Sequence, residues 1–264
     1  TLWSQSGVKH STLLPLQDLV VSGALSTCGR YLATASIDGS AMICGRDGRP
    51  RAVLKHSDAA LTGCCFSPNQ DLVLVTGSDG IAVVWETSGG KRAVLRSHQD
   101  VISSGCFSPN GQLLLTTSWD GSAYLCSADT TQGRRLEGHS SALLGGCFNR
   151  DGSRILTYSR DHSARLYNKE GQLLAVLRGH RDWVLGGYFG RHSDQILTVS
   201  RDGTARIWNP DGSYLMTLRG HNSWVTAACF GEKDSCVFTA SADHTVRRWL
   251  VTEAGLVSLM NKHA

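Results

Sequence analysis

Gly179-His180-Arg181-Asp182-Trp183-Val184, followed by Ser200-Arg201-Asp202-Gly203-Thr204-Ala205-Arg206-Ile207-Trp208, is the stretch that decides the fold. It holds a Gly-His pair, a strand with a small-residue centre from Val184 to Phe189, a second strand ending at Ser200, an Asp-Gly turn and a third strand ending at Trp208. Steps of 41 residues from Asp202 reach Asp38, Asp79, Asp120, Asp161 and Asp243, each followed by Gly or His. Six residues beyond each Asp stand Cys44, Trp85, Cys126, Tyr167, Trp208 and Trp249, and one further step back from Cys44 reaches Trp3. His98, His139, His180 and His221 keep the same beat, whereas His56 is one place out of phase and Leu16 fills the first slot. A six-fold period of this length marks a repeat architecture.

Each repeat has room for four short strands separated by turn residues, and none for helices. In the fifth, the pattern predicts strands over Trp183–Phe189, Gln195–Ser200, Thr204–Trp208 and Tyr214–Leu218. Ser-Pro-Asn at 67–69 and 108–110, and Asp151-Gly152, supply turns between the first two strands, because Pro presets φ and Gly or Asn tolerates the left-handed region. The first strand of most repeats has a small centre, at Ser22-Gly23, Ser104-Gly105, Gly145-Gly146, Gly186-Gly187 and Ala227-Ala228. Gly weakens a strand, so this pattern implies crowding by neighbouring backbones, as in radial four-stranded blades around a channel. The chain reads as a single domain over 1–264: the end of a truncated blade (1–15), then successive repeats at 16–55, 56–97, 98–138, 139–179, 180–220 and 221–264. Its start in mid-repeat, without Met, reads as a segment of a longer protein.

The repeat resembles the WD-repeat (WD40) β-propeller family across essentially the whole chain. The carrying motifs are Gly-His at 138–139, 179–180 and 220–221, Cys-Phe-Ser-Pro at 65–68 and 106–109, and Ser-x-Asp-Gly ending in an aromatic, as in Ser200 to Trp208. The resemblance implies an all-β propeller with six complete four-stranded blades plus an N-terminal partial blade, seven blades when intact. A closed six-blade ring is the alternative, and it leaves either Val8–Leu14 or Leu256–Met260 without a place. The resemblance also implies a buried hydrogen-bond chain in each blade. Complete sets are His180, Ser200, Asp202, Trp208 and His221, Ser241, Asp243, Trp249; His139, Ser159 and Asp161 end in Tyr167, and His98, Ser118 and Asp120 in Cys126. The second repeat has Gly77 in place of the Ser, and the first lacks both His and Trp, so the N-terminal repeats are expected to be looser. These residue types also build hydrolytic triads, but one set per repeat reads as structure rather than catalysis. A buried carboxylate is tolerable when donors surround it, and these side chains supply them.

Composition narrows the function. Nine cysteines with no Cys-x-x-Cys, four of them at one repeat position (Cys65, Cys106, Cys147, Cys229), read as small buried hydrophobes in a reducing, intracellular setting, with no zinc site. The formal charge of +4 does not call for nucleic acid. No apolar run suits a membrane span, so the expectation is a soluble cytoplasmic chain, with the nucleus as alternative. No nucleophile elbow, phosphate loop or metal-protease motif appears, and neither a cofactor, a metal nor a small-molecule substrate is expected. Gly89-Gly90-Lys91 continues with Arg92, which carries no hydroxyl for Mg²⁺.

Function is therefore sought where the repeat breaks. Residues before the turn Asp are Ile37, Ser78, Trp119, Arg160, Arg201 and Ala242; residues three after the His position are Leu19, Val101, Ala142, Trp183 and Trp224, with Ala59 three after His56. Because the family places both loops on one face, Trp119, Arg160, Trp183, Arg201 and Trp224 form a candidate arc for an acidic or aromatic-containing peptide, Trp and Arg being enriched at hot spots. The structural alternative is that the Trp rings only cover the blade tops. Arg165, Arg206 and Arg247, four residues after each Asp, read as a solvated structural strand face. The leading function is a non-catalytic protein-interaction scaffold. The alternatives are an RNA-binding subunit stacking bases on Trp119, Trp183 and Trp224, a sensor module of a large signalling ATPase, and an enzyme using the channel.

Overall fold

The computed structural model describes residues 2–3, 9–11, 18–69, 71–129, 132–251 and 257–260. Six four-stranded antiparallel sheets span 20–55, 61–95, 102–136, 143–178, 184–219 and 225–260, each within one repeat and each with its strands in sequence order. In the fifth sheet the strands are Val184–Phe189, Ile196–Ser200, Thr204–Trp208 and Tyr214–Arg219, within a residue of the pattern-based reading at every end. The only helical element among the described residues is a three-residue 3₁₀ turn, Glu232–Asp234. Two short strands, Leu2–Trp3 and Lys9–Ser11, pair ahead of the first sheet. The rest of the expected Val8–Leu14 strand, and Leu16, lie outside the described residues, as do the side chains of Trp3 and of the last strand. Val257–Met260 forms the fourth strand of the last sheet.

The contacts divide the chain into two compact units: residues 1–120 with 124–134, and residues 121–123 with 135–264. In the first unit, one core forms between the first and second sheets around Ile43, Leu61, Val75 and Trp85, and another between the second and third around Leu74, Ile102 and Leu114. In the second unit, Leu156, Leu166, Val184 and Trp208 join the fourth and fifth sheets, and Leu197, Ile207, Val225 and Trp249 join the fifth and sixth. Each core therefore lies between neighbouring blades, where apolar faces of two sheets leave water together.

The small centres of the first strands have a physical cause. A Cβ on Gly187 would lie 2.7 Å from Leu156 Cδ2 of the preceding blade, and one on Gly105 would lie 2.8 Å from Leu74 Cδ2 and Thr76 Cγ2. The Asp-Gly turn needs a positive φ, which Gly203 adopts at 78°; in the fourth and sixth blades His162 and His244 take the same conformation, at 66° and 64°. The recurring Cys also does more than fill space: Cys147 Sγ donates to Gly187 O at 3.5 Å and Cys65 Sγ to Gly105 O at 3.4 Å, tying the fourth blade to the fifth and the second to the third. Burial pushes the Cys147 thiol up to about 12 and raises Cys64 and Cys65, so the vicinal pair has little thiolate character.

Candidate functional site

The repeated polar residues form one continuous donor chain. In the fifth blade Trp208 Nε1 donates to Thr198 Oγ1 at 2.9 Å, and Thr198 Oγ1 lies 2.9 Å from His180 Nε2. His180 Nδ1 lies 2.9 Å from Asp202 Oδ2. Only one assignment satisfies every atom: the Thr hydroxyl donates to Nε2 and the neutral imidazole donates from Nδ1. Asp202 also accepts from the backbone N–H of Arg181 and Thr204, at 2.9 Å each, and from Thr204 Oγ1 at 2.6 Å. Burial opposes its charge, but the His180 and Thr204 hydrogen bonds outweigh that and hold its pKa well below the usual carboxylate range. Burial lowers the pKa of His180, keeping it neutral.

Ser200 is not the hydroxyl of this chain, contrary to the sequence-based expectation. Its Oγ donates to Asp182 O at 3.1 Å and accepts from Asp202 N at 3.0 Å, closing the turn against the loop after His180. The reason is register: Trp208 pairs with Ile196, which brings Thr198 beneath the indole and leaves Ser200 about 13 Å along the strand. Ser241 and Ser159 do the same as Ser200, while Thr239 and Thr157 bridge His221 and His139 to their neighbours. His221 reaches Asp243, and His139 reaches Asp161, at 2.9 and 2.7 Å; Trp249 Nε1 donates to Thr239. Tyr167, in place of Trp, donates to Glu137 O at 3.0 Å. The bridging residue recurs as Thr34, Thr116, Thr157, Thr198 and Thr239, four before each Asp, with Val75 as its one exception, a regularity that the sequence reading passed over in favour of the Ser.

The three recurring arginines are not a solvated face either. Arg165, 9% exposed, donates through Nη2 to Gly138 O at 2.5 Å, and Arg206 donates to Gly179 O at 2.6 Å. A Cβ on Gly138, Gly179 or Gly220 would strike the guanidinium of Arg165, Arg206 or Arg247. The Gly of the Gly-His motif is thus the seat of an arginine clamp. The third blade has neither, with Ser97 before the His and Tyr124 in the arginine position.

Four of the five repeat-breaking residues meet in the second unit. The guanidinium carbon of Arg160 lies 4.5 Å from the Trp183 ring centre, and that of Arg201 lies 4.7 Å from Trp183 and 4.3 Å from Trp224. Both guanidiniums thus lie against the Trp183 ring, and Arg201 also lies against Trp224, so the four side chains form one stacked ladder. Backbone pairing places the rungs: Arg201 N donates to Trp183 O, Arg160 N to Ala142 O and Ala242 N to Trp224 O, joining the two loops of each blade. Arg201 Nε lies 3.8 Å from Asp182 Oδ2. Trp224 remains 45% exposed at one end. Trp119 lies in the first unit, 43% exposed, with its N–H donating to Val101 O.

Against known families, the model described as "WD domain, G-beta repeat" matches residues 48–86, 89–127, 130–168, 171–209 and 212–249. The chain belongs to the WD-repeat family. Each WD repeat as matched starts beside the fourth strand of one sheet and ends on the third strand of the next, so the family unit and the blade are offset by one strand. No curated protein matches the chain. WD repeats generally mediate protein interactions, and among the described residues no helix is long and apolar enough to cross a membrane.

Proposed function

We propose that this protein is a non-catalytic scaffold whose rim binds peptide segments of protein partners through the ladder Arg160, Trp183, Arg201 and Trp224, with Trp119 as a further contact. The observation that carries this reading is that four residues departing from the repeat stack on one another at the loop ends, while those keeping it in the fifth and sixth blades are used up in hydrogen bonds inside the blades. A guanidinium stacked on a ring presents its N–H edges sideways, the geometry by which arginine forks onto carboxylates, and the Arg201 side chain is 33% exposed. Cation–π contacts of about 0.5–1 kcal/mol each hold those edges in place. The imidazoles of His139, His180 and His221 are engaged at both ring nitrogens, which speaks against a hydrolytic role for them. RNA is less well suited, because the formal charge of +4 is modest for a chain that tracks a phosphate backbone.

Fluorescence anisotropy of labelled acidic, basic and oligouridine probes with wild type and the Arg160→Ala/Arg201→Ala variant tests the proposal. The expected result is salt-sensitive binding of the acidic peptide, weakened at least tenfold by the double substitution. Unchanged acidic-peptide binding in the variant, or preference for the RNA, overturns it.

A further inference from the structure

We propose a second interaction surface at the opposite ends of the same blades: a cleft between the fourth and fifth sheets that takes an aromatic side chain from an acidic segment of a partner protein. Trp183 stands just before strand Val184–Phe189 and Arg191 just after it, so the six-residue strand sets the ladder and the cleft about 20 Å apart. The two sites are independent.

The cleft has a volume of about 690 Å³, ample for an aromatic ring, and Phe148, Tyr158, Tyr188, Phe189, Arg150 and Arg191 line it. Its floor is continuous with the core, because Cys147, Tyr158 and Phe189 pack on the cluster that joins the two sheets. The four rings are half-buried, and both arginines are exposed. A Cβ on Gly187 would lie 3.0 Å from Tyr158 Cδ1, so the glycine lets the ring of one blade lie on the strand of the next. Three repeat positions break their pattern here. Where the fifth blade has Tyr188 the others carry Ala24, Cys65, Cys106, Cys147 and Cys229, and where the fourth has Tyr158 they carry Ala35, Thr76, Thr117, Val199 and Ala240. Arg150 and Arg191 stand where the first three blades have Thr27, Pro68 and Pro109. Departure from the repeat marks this cleft as it marks the ladder.

Charge selects the occupant. Arg150 Nη1 donates to Arg191 O at 3.4 Å, carrying its guanidinium from the loop of the fourth blade to that of the fifth. Among the described residues no ion pair engages Arg150 or Arg191, and no carboxylate lines the cleft. The nearby acids are spent on backbone: Asp151 accepts from Ser153 N at 2.8 Å, and Asp234 from the N–H groups of Arg191, His192 and Ser193. Rings that bury another ring, beside two guanidiniums that fork onto carboxylates, suit an aromatic residue with acidic neighbours. Two cations are too few to track a phosphate backbone, so the occupant is a peptide rather than RNA.

Photo-crosslinking locates the site directly. The probe is Gly-Glu-Bpa-Glu-Gly, where Bpa is benzoylphenylalanine; Gly-Gln-Bpa-Gln-Gly is the neutral control, and crosslinked positions are mapped by mass spectrometry. Crosslinks are expected within residues 143–154 and 184–195, with a yield at least fivefold above that of the control. Arg150→Ala/Arg191→Ala is expected to lower the yield at least fivefold, Arg150→Lys/Arg191→Lys to retain most of it, and Arg160→Ala/Arg201→Ala to leave it unchanged, each variant being folded by circular dichroism. Crosslinks confined to the ladder loops support the rim as partner site and overturn the cleft. Equal yields from the neutral probe, no loss in Arg150→Ala/Arg191→Ala, no crosslink at all, or displacement of the probe by equimolar oligouridine overturns it as well.

Discussion

Thr198 shows how much one hydroxyl decides. It accepts from Trp208 and donates to His180, so Thr198→Val leaves two buried polar atoms without partners and is expected to cost about 2–3 kcal/mol, read from the urea midpoint. Ser200→Ala, at the edge of the turn, is expected to cost about 1 kcal/mol. Two blades carry the reverse experiment. The first keeps Thr34 but has no His or Trp, and Thr34 Oγ1 has no partner among the described residues; the second keeps His56 and Trp85 but has Val75 in the threonine position, and His56 Nδ1 and Trp85 Nε1 are left without partners. Val75→Thr is therefore expected to raise the midpoint, by about 1 kcal/mol, where a buried Val→Thr change elsewhere, such as at Val199, lowers it. Acid acts on the same chains. His180 has a lowered pKa when folded, so its stabilising contribution is present above the unfolded histidine value near 6.5 and is lost as pH falls below it. Asp161 and Asp202, also lowered, add a second loss as pH falls below about 4. Stability that rises on acidification from pH 7 to 5 contradicts these assignments. The sequence alone revealed the repeated Asp, His and Trp because their types are rare and their spacing exact to the residue; the Thr was hidden because choosing between two hydroxyls on one strand requires the pairing register.

At the scale of elements, Gly and Arg act as a pair across the sheet. Gly179 has φ 141° and carries Arg206 against its Cα, so Gly179→Ala is expected to cost at least about 2 kcal/mol from backbone strain and displacement of the clamp. The same substitution test at Ser97, where Tyr124 replaces the arginine, is expected to be within about 0.5 kcal/mol. A second clasp joins the fifth and sixth blades. Asp234 accepts from the N–H groups of Arg191, His192 and Ser193 at 3.1, 2.6 and 2.8 Å, and these outweigh the burial that opposes its charge. Asp234→Ala strands three donors and is expected to lower the midpoint by about 2 kcal/mol or more. The strand boundaries were readable from alternation and turn residues, and the ladder's positions from where the repeat fails. The clamp and the clasp were not, since each joins residues whose pairing depends on which carbonyl or amide the fold turns inward.

For the whole molecule, polar completeness differs between the units. The donor chains of the fifth and sixth blades are complete, while among the described residues the first and second leave buried polar atoms unpaired. Hydrogen exchange is expected to be at least tenfold faster over Leu72–Gly77 than over Ile196–Ser200; equal protection contradicts this. The division of labour, in which residues that keep the period hold blades together and residues that break it bind, is the central claim. It is tested most directly by titrating one labelled acidic peptide into Thr198→Val and into Arg160→Ala/Arg201→Ala, both held at a temperature where circular dichroism shows them folded. Wild-type affinity is expected for the first and at least tenfold weaker binding for the second. Loss of binding in Thr198→Val with retention in the arginine variant would contradict it.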